Sequence, residues 1–289
     1  MSLPTVVVPG SAQDMERQLR GAGLLAGQTN CLYDQWLRNA AANGITVAEI
    51  LKIAREFGIT PADFAFMLTW TVFTDPDGKE FFLLPPHISG QDAKKAVFMT
   101  YILNARTDYD IADDPGNPQD TGTTSNDFQE APYSCAQATR IAQRQDANNW
   151  SYSEGVAFIQ FNGGVLVTTP NGMLMGLGGN FLVDPYSLKG GTTWGDVFML
   201  NIDDPLDPVK AMEGVVQGGS QPDSGGGTNN NLDLDRVLHH EETHAQQWAQ
   251  LGYAGFGATY AWQVARYGTD GTKIPLEQQA GLHDGGYIR

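Results

Sequence analysis

The chain has 289 residues, 41% of them hydrophobic and a tenth aromatic, enough for a sizeable core in one large domain or two. Thirty-three acids against 17 Lys and Arg leave a formal net charge of −16, which argues against a nucleic-acid partner because there is no basic patch to release counterions. The same charge is repelled by anionic membrane surfaces, and no apolar run approaches transmembrane length, so no membrane insertion is expected. Met1 to Gly10 lacks the charged start and long apolar run of a signal peptide. Cytoplasmic synthesis follows as the expectation, with a virion or non-classical export left open.

Residues 1–106 read as a helical N-terminal region. Asp14 to Arg20 is a short amphipathic stretch, and Gln28 to Ala42 is a second one carrying Leu32, Trp36 and Leu37. Thr46-Val47-Ala48-Glu49 is a capping box opening a helix that ends at Gly58, and Thr60-Pro61 opens the next with proline at its first position. This pair resembles a helix-turn-helix, but Pro61 to Trp70 contains no Lys or Arg, so a structural helical pair is expected.

Residues 107–149 read as an acidic polar loop and a helix. Seven acids and no Lys or Arg lie in 107–130. Asp108, Asp110, Asp113 and Asp114 invite a calcium reading, yet their spacing does not match an EF-hand loop, and a long surface loop is expected. Cys31 and Cys135 each stand at a helix start, where a thiol pKa falls, and His87 is the only base for them outside the motif region. No cysteine-hydrolase signature surrounds either residue, and two buried thiols are the plainer reading.

Residues 150–213 are expected to form a small antiparallel β-sheet. Val156 to Gln160, Gly164 to Thr169, Met173 to Leu177, Asn180 to Val183 and Val197 to Asn201 are short runs parted by turn residues, and Thr169-Pro170-Asn171-Gly172 is a hairpin signal. Residues 214–231, rich in Gly, Ser and Asn, read as a flexible linker or a lid.

The last segment, 232–289, carries the chemistry. His239-His240-Glu241-Glu242-Thr243-His244 contains His-Glu-x-x-His, and three of the five histidines of the chain lie in these six residues. On a helix, His240 and His244 lie one above the other and can share a metal, while Glu241 beside them can take a proton from metal-bound water. Leu234, Val237, Leu238, Glu241, His244, Ala245, Trp248 and Leu251 keep helical spacing; Asp233 or Asn229 to Asn231 can cap its start and Gly252 can end it. Phe256 to Tyr267 reads as a returning helix. Pro275 then suits the first turn of a short helix presenting Glu277, the preferred third zinc ligand. His283, six residues on, competes for that place. Glu242 reads as a solvated neighbour. The bland alternative is a chance motif on a solvated helix.

Val237 to Tyr287 resembles gluzincin-type zinc metallopeptidase domains, most nearly the compact bacterial versions. Gln247-Trp248, Phe256, Tyr260, Glu277, Ala280 and Gly285-Gly286-Tyr287 carry the resemblance, with an upstream echo at Trp194-Gly195-Asp196-Val197-Phe198. It implies a Zn2+ ion on His240, His244 and Glu277, Glu241 as general base, and a protein or peptide substrate. Tyr260, Tyr267, His283 and Tyr287 are the candidate donors to the oxyanion, each also readable as packing. The pattern departs from thermolysin-like Glu-x-x-x-Asp, since position 281 is Gly281. The carboxylate that would orient a ligand histidine is therefore sought at Asp284 or Asp235.

The expectation is an α+β protein with a helical N-terminal region and a C-terminal helical zinc-metallopeptidase-like module. The rival is a structural component of a large assembly, for example a phage tail or virion protein, engaging assembly partners through its N-terminal region. Its zinc would be accessory or structural, with His239 or His283 as a fourth ligand. A pure peptide-binding module stands third.

Overall fold

The computed structural model describes residues 12–25, 37, 41, 46–76, 78–103, 135–177, 191–200, 202, 206–218, 221–222, 228–229, 234–282, 284–285 and 287. Most of the expected helix from Gln28 to Ala42, Cys31, the acidic loop with its calcium reading, the run from Asn180 to Val183 and the cap candidate Asp233 lie outside the described residues. Among the described residues, no helix is long and apolar enough to cross a membrane.

The N-terminal region opens with helix α1 (Ala12–Gly21), α2 (Val47–Glu56) and α3 (Pro61–Met67). The predicted capping box forms at α2, and a second one forms at the predicted start of α3. Thr46 and Glu49 satisfy each other's backbone N–H at the start of α2, and Thr60 and Asp63 do the same at α3. Met15, Leu19, Ile50, Ile53, Phe64 and Met67 then share one core with Phe98 of α4 (Gly90–Leu103). The region is not wholly helical, however. Strands β1 (Val72–Thr74) and β2 (Glu80–Phe82) pair as an antiparallel hairpin. Its turn is closed by Asp75, whose side chain accepts from the Lys79 N–H at 2.7 Å.

Helix α5 (Cys135–Ala147) leads into α6 (Asn149–Phe161). Here the expected strand at Val156 to Gln160 is helix instead. A short apolar run does not distinguish the two, and the burial of Tyr152, Val156 and Ile159 at helical spacing decides it. Strands β3 (Val165–Thr168) and β4 (Leu174–Leu177) form the hairpin foreseen around Pro170-Asn171-Gly172, and β5 (Gly191–Trp194) and β6 (Val197–Leu200) form another. Both hairpins are antiparallel, but β4 and β6 join them in parallel, so the four-stranded sheet is mixed, in the order β3-β4-β6-β5.

Alternation along the strands splits their side chains between two cores, as a sheet covered on both faces requires. Leu166, Leu174, Val197 and Met199 face α4 and α6 through Val97, Tyr152, Val156 and Ile159. Val167, Met175, Leu177, Phe198 and Leu200 face α7 (Pro208–Gly218) and the start of α8 (Leu234–Tyr267). Gly214 to Gly218, read as linker, thus belong to α7, because Met212, Val215 and Val216 offer an apolar face to the sheet. Beyond it, β7 (Gln221–Pro222) pairs with β8 (Thr228–Asn229).

Helix α8 is broken at Gly252, whose φ of 72° and ψ of 167° no helix accommodates. The predicted motif helix and returning helix are therefore its two halves. A 3-10 turn (Gly271–Lys273) and α9 (Pro275–Ala280) follow, and Ile274 and Leu276 pack on Trp248 and Phe256 of α8. The α+β class thus holds, and its layers bring β5, α8 and α9 together.

Candidate functional site

The first half of α8 presents His240, Glu241, His244, Gln247 and Trp248 as buried side chains; Leu251, expected on the apolar stripe, is 43% exposed just before the break. Helix α9 is clamped to both halves of α8. The Gln247 amide donates to the Leu276 carbonyl at 3.0 Å, and the Leu276 N–H donates to the Gln263 side chain at 3.1 Å. Pro275, lacking a donor, starts this helix at no cost. Glu277 is thereby held, only 3% exposed, against the histidine pair.

The three side chains converge on one point. His240 Nε2 lies 3.0 Å from His244 Nε2, and Glu277 Oε2 lies 3.2 Å from the first and 3.1 Å from the second. The other ring nitrogens fix the tautomers. His240 Nδ1 is 3.0 Å from the Gly281 carbonyl, which can only accept, and His244 Nδ1 is 2.8 Å from Gln247 Oε1. Both Nδ1 atoms therefore carry the proton in the neutral rings, and both Nε2 lone pairs point toward the Glu277 carboxylate. Three acceptors in mutual contact repel unless a proton or a cation lies among them. Ligands at zinc distances of about 2.0–2.1 Å stand about 3.3 Å apart on a tetrahedron, close to the spacing of these atoms. The residues present fit a zinc ion with three protein ligands. Among the described residues this is the cluster of His, Cys, Asp or Glu able to hold a metal.

The electrostatics agree. Burial pushes the His244 imidazole down, but the Glu277 carboxylate, with Glu241 and Gln247, outweighs it and raises the group to about 9. Burial pushes Glu277 up, but His244 and His240 hold it far below the usual carboxylate range.

Around this core the sequence expectations sort themselves. Glu241 lies beside the cluster, and its Oε2 accepts a 2.5 Å hydrogen bond from the Thr193 hydroxyl of β5. The Tyr260 hydroxyl donates to Glu277 Oε1 at 2.7 Å and so braces that carboxylate. Tyr287 also reaches Glu277, and its ring lies 5.9 Å from that of His240. Burial, with the neighbouring carboxylates, pushes both phenols well above 10. Glycines make room for Tyr287: a Cβ on Gly271 would lie 2.2 Å from its ring, and one on Gly285 would strike both it and His240. Tyr267 is 40% exposed, meets Trp262 edge-on and has the Arg266 guanidinium over its ring, outside the site. His283 lies outside the described residues.

Neither candidate carboxylate orients His240 or His244. Asp284 pairs with His239 at 3.0 Å and Arg236 at 3.1 Å, while Asp235 pairs with buried Lys79 of the β1–β2 hairpin. A backbone carbonyl at Gly281 and an amide at Gln247 take that role instead. His239, turned to Asp284, stands apart from the cluster. Glu242 is not solvated: it is 3% exposed and meets Arg144 at 2.6 Å and Arg140 at 2.7 Å. Arg144 continues to Asp196 at 2.9 Å, and Asp196 takes further bonds from Asn148 and Tyr152. Thr193, Gln263 and Arg144 carried no local signal, since each acts across a long stretch of chain. Gln247 was visible only as part of a matched dipeptide.

Comparison with protein-family models, curated proteins and solved structures returns no match for this chain.

Proposed function

We propose that the chain is a zinc-dependent metallopeptidase that holds Zn2+ on His240, His244 and Glu277 and uses Glu241 as general base. The observation that carries this reading is the convergence of two imidazole lone pairs and a carboxylate, at 3.0–3.2 Å, with both outer ring nitrogens committed as donors. Zinc held there supplies Lewis acidity, acidifying water and polarising a carbonyl. Glu241 takes the proton of the attacking water and returns it to the leaving amine. In this reading Tyr287, in its glycine-lined slot, would donate to the developing oxyanion, while Tyr260 keeps Glu277 oriented. Strand β5, at the edge of its sheet among the described residues, runs beside Glu241 and is the strand along which an extended peptide would lie.

Elemental analysis of protein purified without a metal-affinity tag, paired with a digest of a mixed peptide library, tests the proposal. About one zinc per chain and cleavage abolished by Glu241→Gln is the expected result. No zinc after incubation with the metal sinks it. Full zinc occupancy with no cleavage of any peptide would move the centre to a structural role and favour the assembly-component reading.

A further inference from the structure

We infer that Thr193 is a positioning residue for Glu241, resting on the reading of Glu241 as general base. The hydroxyl of Thr193, a residue 7% exposed, donates to Glu241 Oε2 at 2.5 Å, a charge-assisted bond between groups 48 residues apart. The carbonyl of the same residue accepts from Trp248 Nε1 at 2.9 Å. Glu241 and Trp248 are seven positions apart, two helical turns, and so share a face of α8. One residue of β5 is thus fastened to that face through both its side chain and its backbone.

The strand itself is held firmly enough for such a bond to aim a carboxylate. The β5–β6 turn has two residues, and Gly195 takes the positive φ of 64° that its first position demands. Asp196 at the second position is bolted down: its carboxylate meets Arg144, Asn148 and Tyr152, and its N–H donates to Ser151 Oγ at 3.0 Å. A Cβ at Gly191 would strike the Phe198 ring, so β5 lies hard against β6 at its other end as well. With Oε2 anchored, rotation of the Glu241 carboxylate is restricted and Oε1 remains the oxygen free to take a proton. The Thr193 proton stays on Thr193; it directs the base and is not transferred.

Two variants and one pair of structures test this. Thr193→Val removes the hydroxyl while keeping shape, and Thr193→Ser keeps the hydroxyl. For zinc-loaded enzyme, Thr193→Val is expected to lower kcat by about 10- to 100-fold with KM within about threefold and zinc per chain unchanged, the cost of a misaimed catalytic group. Thr193→Ser should stay within about threefold of the parent in kcat. An unchanged kcat in Thr193→Val overturns the inference. An equal fall in both variants does so too, since Thr193→Ser keeps the hydroxyl and the loss would then not follow the hydrogen bond. Crystal structures of the zinc-loaded parent and Thr193→Val decide the point without any activity. Glu241 should keep its bond to Thr193 in the parent and change rotamer in the variant. An unmoved Glu241, or a parent in which that bond is open, removes the proposed role. If the parent binds zinc but cleaves nothing, the peptidase reading falls by itself, and these structures still show whether Thr193 aims Glu241.

Discussion

Glu241 and Glu242 are neighbours in sequence and lie in two differently built regions on either side of the motif helix. Behind the helix, Glu242 and Asp196 share Arg144, and Arg140 adds a second guanidinium to Glu242. Two acids are matched by two bases, with Asn148 and Tyr152 filling the remaining acceptor sites of Asp196. In front of it, the partners of Glu277 and Glu241 are imidazoles and hydroxyls. Burying charge is tolerable only where it is paired and hydrogen-bonded. The rear cluster meets that condition from its own residues; the front one meets it with a proton or a metal. The first is complete from its own side chains, and the second leaves room for what the proposed zinc would supply.

The sharpest way to break this contrast is to make the same change on both sides. Glu241→Gln should lower kcat by about 10²–10⁴-fold, the usual worth of a general base, while leaving zinc content and denaturant midpoint near the parent. Glu242→Gln should retain measurable turnover and lower the midpoint instead. Equal activity losses in the two would end the distinction. Arg144→Met strands buried Asp196 and leaves Glu242 with Arg140 alone, and is expected to cost about 3–5 kcal/mol of unfolding free energy in urea. A loss below 1 kcal/mol would mean the rear network is not structural. In front, Gln247→Leu removes the acceptor of His244 Nδ1 and should weaken zinc binding by about 10- to 100-fold in a chelator competition, with the fold retained.

The smallest effect expected is one of pH. In metal-free protein, burial lowers His244, but Glu277 and its neighbours outweigh this and raise it to about 9, above its ordinary value of 6.5. The stability it contributes is complete below about pH 6.5 and is lost as pH rises through about 9. Melting temperature measured with chelator should therefore decline across that window more steeply than with zinc bound. Parallel profiles would show that the metal and the proton do not occupy the same place.

What was legible in the sequence follows the range of the interactions involved. The spacing of His240 and His244, the capping boxes at Thr46 and Thr60, and Pro275 ahead of Glu277 are local signals, and the structure contains each of them. Glu242 was misread as solvated because its burial depends on Arg144, 98 residues away. Val156 to Gln160 was misread as strand because five apolar-rich residues fit either period until the tertiary contacts of Tyr152 and Ile159 are known. The β1–β2 hairpin had its signal in Asp75-Pro76-Asp77-Gly78 but lay inside a region otherwise helical in pattern. The partners behind His240 and His244 are a carbonyl and an amide rather than a carboxylate, because any good acceptor fixes the tautomer, and a carbonyl has no sequence signature.

His244 and Glu277 stand 33 residues apart in the chain, joined by the broken helix and the short 3-10 turn. With a metal between them, that segment becomes a closed loop, and closure removes conformations from the unfolded chain much as a disulfide does. A cut made at an exposed point within the loop would then leave both pieces tethered until a chelator released them. The centre would act as a cross-link opened by chelation, where a disulfide is opened by reduction.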